Sequence, residues 1–145
     1  KSALSLLTAK FGTFEEQLYA MIRILLLIGF GGFLGSVLRY LLGSWVNRHW
    51  VHDFPYGTFL VNLIGCLIIG FIYGMSIREK GISENALFFL ATGFCGGFTT
   101  FSTFAFEKHS LITSGEFIHF AFYTIASIAV GLFAVALGLW LAKML

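Results

Sequence analysis

Four long stretches with almost no charge dominate this chain: Ile22 to Leu42, Thr58 to Ile77, Asn85 to Phe106 and Phe117 to Ala142. Each is close to or above the roughly 20 residues an α-helix needs to cross a bilayer. Of the 145 residues 58% are hydrophobic and 11% charged, and the mean hydropathy is +0.89, whereas soluble domains carry about 25% charged residues. A soluble globular domain is therefore excluded. Four spans use roughly 80 residues and leave only short connections and one further segment, so a large ectodomain is excluded as well. The net charge is +2, from nine Lys and Arg against seven Asp and Glu, and no basic run suggests nucleic acid. Cys66 and Cys95 sit in apolar stretches without CxxC or CxxH spacing, which argues for buried thiols and against a disulfide framework or a zinc site.

The first twenty residues have a different pattern. Leu4, Leu7, Phe11, Phe14 and Leu18 recur at steps of three and four, with Lys10, Glu15, Glu16 and Gln17 between them. The expectation is an amphipathic helix lying on the membrane surface, an extension of natural or artificial origin. It lacks the basic start, long apolar core and cleavage site of a signal peptide. The remainder, residues 21–145, is expected to form the four-helix domain. Pro55 suits the first turn of the second span, and Ser83 before Glu84 marks the start of the third. The middle of the third stretch reads Gly93-Phe94-Cys95-Gly96-Gly97-Phe98-Thr99-Thr100, and its adjacent glycines and β-branched threonines predict a helix broken in mid-membrane. Residues Glu107 to Glu116 are expected to form the last loop.

Small residues four apart, Gly31/Gly35 and Gly70/Gly74, allow backbones to approach closely, within one chain or between two. Four spans hardly enclose an aqueous path, so the expectation is an oligomer. Lys1, Lys10, Arg23, Arg78, Lys80 and Lys143 fall on one side, against Arg39, Arg48 and Lys108 on the other. Without the two lysines of the extension, four face three. So weak a bias hardly fixes orientation under the positive-inside rule, and a chain that inserts both ways can pair antiparallel, giving the inverted symmetry that larger transporters build from internal repeats.

All seven acidic residues are expected outside the spans or at their ends, which argues against a proton-coupled exporter of the small multidrug type and against most hydrolytic membrane enzymes. His49, His52 and Asp53 form the one candidate metal cluster, and their loop spacing favours a solvated turn. The interior polar groups are neutral. Asn62 lies one helical turn after Thr58, Ser127 one turn after Tyr123, and Thr99, Thr100, Ser102 and Thr103 gather past the predicted break. Phe98, Phe101 and Phe104 interleave with these hydroxyls. An aromatic ring has an electropositive edge, so ring edges, an amide and hydroxyls together can solvate a small anion, with Arg39 drawing anions to a mouth or snorkelling to the headgroups. A non-transporting membrane scaffold also fits these features.

Three stretches resemble one family: Gly35-Ser-Val-Leu-Arg39-Tyr40; Pro55-Tyr-Gly57-Thr58-Phe-Leu-Val-Asn62-Leu-Ile-Gly65; and Gly93-Phe-Cys95-Gly96-Gly97-Phe-Thr99-Thr100-Phe101-Ser102-Thr103-Phe104. They look like the signature stretches of the Fluc, or CrcB-type, fluoride channels. The resemblance covers about Met21 to Leu145. It implies an antiparallel, dual-topology homodimer in the cell membrane that exports fluoride passively and relieves its toxicity. Two separate pores are then each lined by both subunits. It implies that Asn62 is the pore asparagine, Phe101 and Phe104 the ring-edge pair, and Ser102, Thr103, Tyr123 and Ser127 further pore groups, with Arg39 at the vestibule. It also implies that Gly96 and Thr99 give backbone carbonyls to a structural sodium ion on the two-fold axis. One departure stands out: one turn beyond Ser127, where the family's polar track can continue with another hydroxyl, this chain has Gly131.

Overall fold

The structure, a computed structural model, describes residues 13–50, 54–78 and 81–145. Among them every regular element is helical, and four helices are long and apolar enough to cross a membrane. The first, α1 (Phe14–His49), has a cap that explains where it begins. The Thr13 side chain accepts from the Glu16 amide, and the Glu16 carboxylate accepts from the Thr13 amide at 2.8 Å. This reciprocal pair satisfies two otherwise orphaned donors. The helix runs unbroken through Ile22, so Phe14 to Ala20 continue the helix of the first span; residues 1–12, with Leu4, Leu7, Lys10 and Phe11, lie outside the described residues. At 36 residues α1 is about 54 Å long at 1.5 Å per residue, against a hydrocarbon core of about 30 Å, so one or both of its ends must project from the core.

The second span, α2 (Tyr56–Ser76), begins after Pro55. The third, Glu84–Thr113, is composite. It opens with α3 (Glu84–Leu87), whose Ser83 cap accepts from the Ala86 amide, continues as a π-helical stretch over Phe88–Cys95 and closes its first half with α4 (Gly96–Phe98). Thr99 and Thr100 then take extended backbone angles before α5 (Phe101–Thr113). Sequence reasoning placed the break across Gly93 to Thr100, but the chain stays helical through Phe98. The helix widens there and does not break: the Gly96 N–H reaches back to the Ala91 carbonyl, five residues earlier. Only the two threonines leave it.

The last loop is also shorter than expected. Glu107 lies inside α5, which Thr100 caps by accepting from the Thr103 amide, and nothing breaks the helix before Ser114. The turn is made at Gly115, whose φ of +80° is a conformation glycine adopts at no steric cost. The final span, α6 (Phe117–Lys143), follows.

Glycines set how these helices meet. A Cβ on Gly31 or Gly35 would strike the backbone of Phe89 or Phe94, and one on Gly97 would strike Gly32. Likewise Gly70 lies against the Val135 backbone and Gly74 against Ala142. Both glycine pairs singled out in the sequence thus pack helices of one chain. They no longer argue for a second copy. The result is α1 lying along the first half of the third span, α2 against α6, and α5 resting on α6. Ile72, Ala91 and Cys95 form the small core, while Phe30, Phe33, Leu132 and Phe133 point outward, as lipid-facing side chains do.

Candidate functional site

The extended backbone at Thr99 and Thr100 leaves helical N–H and C=O groups without their usual partners. Asn62 meets that need from the facing helix. Its Nδ2 donates to the Thr100 carbonyl at 3.0 Å, and its Oδ1 accepts from the Thr100 amide at 2.8 Å. One side chain therefore substitutes for two helical hydrogen bonds, which gives a half-buried asparagine the partners it requires. The amide group has two N–H donors, so one remains beyond this clamp. Because the Thr100 N–H is turned to Asn62, the Gly96 carbonyl four residues earlier loses its helical donor.

Two cavities meet at the clamped residue. One, of about 460 Å³, is lined by Asn62, Cys66, Thr99, Thr100, Phe101, Phe104 and Ser127 among others. Four of the expected pore residues, Asn62, Phe101, Phe104 and Ser127, thus share one space. The other, of about 360 Å³, is a cleft between α1, α2 and the start of α5 with Arg39 on its wall together with Ser36, Asn47, Thr58 and Thr103; Thr100 is common to both. Ser102 lines neither, and its Oγ lies 3.3 Å from Thr100 Oγ1.

The rings at the site are held unequally. Phe101 is 79% exposed, with its centroid 6.0 Å from that of Phe104. Phe104 packs at 4.9 Å and 68° against Tyr123, and Lys108 Nζ stands 4.9 Å from its centroid and equally far from that of Phe120. A cation over the negative ring face is an attractive arrangement, and it leaves the electropositive ring edge available. Tyr123 itself is fully buried, and its hydroxyl donates to Glu107 Oε2 at 2.9 Å.

Glu107 was not foreseen. Its other oxygen accepts from Thr58 Oγ1 at 2.6 Å, so a carboxylate within the third span's helix ties α2, α5 and α6 together. Glu107 thus lies within the helix Phe101–Thr113 and not in the loop expected for it. A signal was present: a buried tyrosine seeks a partner for its hydroxyl, and Glu107 follows Thr103 and Phe104 at helical spacing.

For a metal, no group of three or more His, Cys, Asp and Glu occurs among the described residues. His49 bonds the Trp45 carbonyl at 2.8 Å within its own helix, and His52 and Asp53 lie outside the described residues. The carbonyls near the break are a different donor set. Gly96 is open, since a Cβ there would meet nothing within 4 Å. The Thr99 hydroxyl donates to the Cys95 carbonyl at 2.9 Å, which leaves its lone pairs free, so the segment offers main-chain oxygens and this hydroxyl oxygen to a hard cation.

The profile of the family described as CrcB-like protein, Camphor Resistance (CrcB), matches residues 26–139. A protein of Phocaeicola vulgatus named fluoride-specific ion channel FluC is 45% identical over 119 residues, which cover 82% of this chain and 98% of that one. Proteins of the same name from Leptospira interrogans and Campylobacter jejuni are 43% and 41% identical, over 82% and 85% of this chain and 94% and 100% of their own lengths.

Proposed function

The chain belongs to the CrcB-like family, and from that premise we propose that it is a passive fluoride channel of the cell membrane, not an enzyme, with its conduction path along the two cavities that meet at Thr100. The observation that carries this reading is the gathering of Asn62, Phe101, Phe104 and Ser127 around one cavity. These groups offer a hydroxyl and ring edges beside the Asn62 amide, which holds Thr100, and no full positive charge. Fluoride is small and strongly hydrated, so each step must replace water with donors, and none may bind so tightly that the ion stays. Arg39 in the neighbouring cleft raises the local anion concentration. Thr103 supplies a hydroxyl at that cleft, and Ser102 supports Thr100. Tyr123, whose hydroxyl is committed to Glu107, acts by holding the Phe104 ring. A cell interior that is negative drives an anion outward by about 2.3 kcal/mol per 100 mV, which requires no coupling to protons or ATP.

A second copy in the opposite orientation completes the path. Phe101 is exposed at the edge of its cavity, and a partner supplies the missing wall. Arg78 Nη1 donates to the Ala142 carbonyl at 2.8 Å, which puts Arg78 and Lys143 at one end of the bundle and supports the near-even count of charges on the two sides. In the antiparallel homodimer the break in the third span lies in mid-membrane, and the Gly96 and Thr99 carbonyls of both subunits make a four-oxygen sodium site on the axis. The freed Gly96 carbonyl and the open space beside that residue fit this assignment. When bound, sodium ties the two breaks together; the protein holds it with neutral dipoles, which suffice for a monovalent ion.

Purified protein in liposomes tests the function. The expected result is voltage-driven fluoride efflux without a pH gradient and with chloride excluded. Absence of efflux, or efflux that needs proton exchange, overturns it. Cross-linking and reporter fusions at the C-terminus, read on both membrane faces, test the antiparallel pair.

A further inference from the structure

Beside the large cavity lies a small, largely enclosed one of about 20 Å³, lined by Phe59, Asn62, Leu63, Cys66, Ser127, Val130 and Gly131. Asn62, Cys66 and Ser127 line both. About 10–15 Å³ is needed to hold one water, so there is room for one and not for two. Its polar walls are unevenly engaged. Asn62 has an N–H left over from its clamp on Thr100, and Ser127 Oγ, although fully buried, has no hydrogen-bond partner among the described residues. That is unusual for this protein. Thr99, Thr113 and Thr124 each donate to the carbonyl four residues earlier in their own helix, whereas the Ser127 hydroxyl makes no such bond. A buried oxygen without a partner is destabilising.

We propose that this small cavity is a binding site for a single water molecule, which accepts from the second Asn62 N–H and donates into Ser127 Oγ. The inference rests on reading the large cavity as the fluoride path. A hydroxyl has one donor and two acceptor lone pairs, and only the donor is of use to an anion. A water that fills one lone pair from behind turns the Ser127 O–H toward the large cavity. Gly131 makes the space: a Cβ there would be 3.5 Å from Cys66 Sγ, ordinary contact distance, so a side chain would fit the fold and occupy the water's place. The chain thus carries a water where a hydroxyl on residue 131 could stand.

The test uses the full chain in liposomes. Gly131→Ala displaces the water without replacing its hydrogen bonds and is expected to lower fluoride efflux at least about tenfold; Gly131→Ser carries its own hydroxyl and should stay within about twofold of the parent. If the cavity were only a packing defect, alanine would be neutral and serine no better than alanine. Either result overturns the proposal while leaving the channel reading intact. A parent chain that moves no fluoride would instead sink that reading, and this one with it. Should Gly131→Ala fail to fold, a structure of the parent that resolves ordered solvent decides, in crystals grown with and without fluoride. A single peak between Ser127 and Asn62 in both supports a water. A peak only with fluoride, or none, refutes it.

Discussion

Before its break the third span lies against α1 so closely that the backbones touch: Gly93 meets the Ile28 carbonyl and Gly31, and Gly97 meets Gly32. After the break, α5 rests on α6 through side chains, Phe104 on Tyr123 and Glu107 on the Tyr123 hydroxyl, and leaves Phe101 and Phe106 largely exposed. At Gly93 and Gly97 the first half has given up side chains to gain proximity to α1. The second keeps aromatic and hydroxyl groups at a distance that leaves a cavity. A small anion needs both: donors with space between them, and a frame that stops the space from collapsing. Asn62 is where the two meet, since it bonds the backbone of the residue at the junction and lines the cavity beyond it.

Disturbing the frame should have the largest effect. A Cβ on Gly35 would stand 2.7 Å from the Phe98 amide and closer still to the Phe94 carbonyl, and neither backbone can yield without moving the helix. Overpacking of this kind costs about 1–3 kcal/mol or more, so Gly35→Val should give no monodisperse folded protein. Gly29→Ala, on the same helix but with nothing within 4 Å of the added Cβ, should purify and unfold like the parent. If Gly35→Val also behaves like the parent, backbone contact is not what holds the first half.

Next comes the second half. Phe104→Ile keeps apolar bulk and removes the ring edge. Its effect on stability should stay below about 1.5 kcal/mol, as for other swaps that conserve volume, while fluoride efflux falls at least about tenfold. A fully active Phe104→Ile channel would show that the ring only packs.

How far these differences could be read from the sequence depends on the physics behind each. The four spans, the Ser83 cap and the role of Pro55 are local properties of composition and spacing; the second and fourth spans lie within two residues of their expected bounds, whereas the helix of the first runs from Phe14 to His49 and that of the third to Thr113, well past the ends that hydropathy marked. Thr13 and Glu16 form a capping box that could have been read from their spacing, yet the amphipathic pattern around them drew attention instead. Gly93, Gly96 and Gly97 were misread as helix breakers because glycine's low helix propensity is only a weak prior, and contact with α1 through Gly93 and Gly97 outweighs it. Glu107 was placed in a loop because hydropathy falls there; only the folded arrangement brings Thr58 and Tyr123 to its two oxygens. The gathering of Asn62, Phe101, Phe104 and Ser127 follows the family resemblance, since nothing in their separation along the chain requires one cavity.

A smaller effect is expected at Glu107, which bridges the side-chain-rich half to α2. Glu107→Gln keeps the shape but leaves one acceptor oxygen for two donating hydroxyls. One of them must turn away, at a cost of about 1–2 kcal/mol in thermal unfolding. Fluoride efflux should persist, because neither Thr58 nor Tyr123 is removed. Loss of efflux with stability unchanged would place the carboxylate in the path itself.

The smallest effect is expected at the junction, from Thr99→Ser. The Thr99 hydroxyl donates to the Cys95 carbonyl, and serine can make the same bond. Its methyl, against which a Cβ on Gly65 would press, is worth about 0.8 kcal/mol of burial, and that is the expected loss. The Cys95 carbonyl also accepts from the Thr99 amide at 3.0 Å, so Thr99→Val, which keeps the methyl and drops the hydroxyl, should be nearly as mild. Neither change touches the Thr99 carbonyl. If main-chain oxygens of Gly96 and Thr99 hold sodium, both variants should lose dimer stability to the same extent as the parent when sodium is replaced by a larger cation. A variant that loses this response while the parent keeps it would assign the ion to the side chain, and a parent indifferent to the cation would remove the ion from the junction altogether.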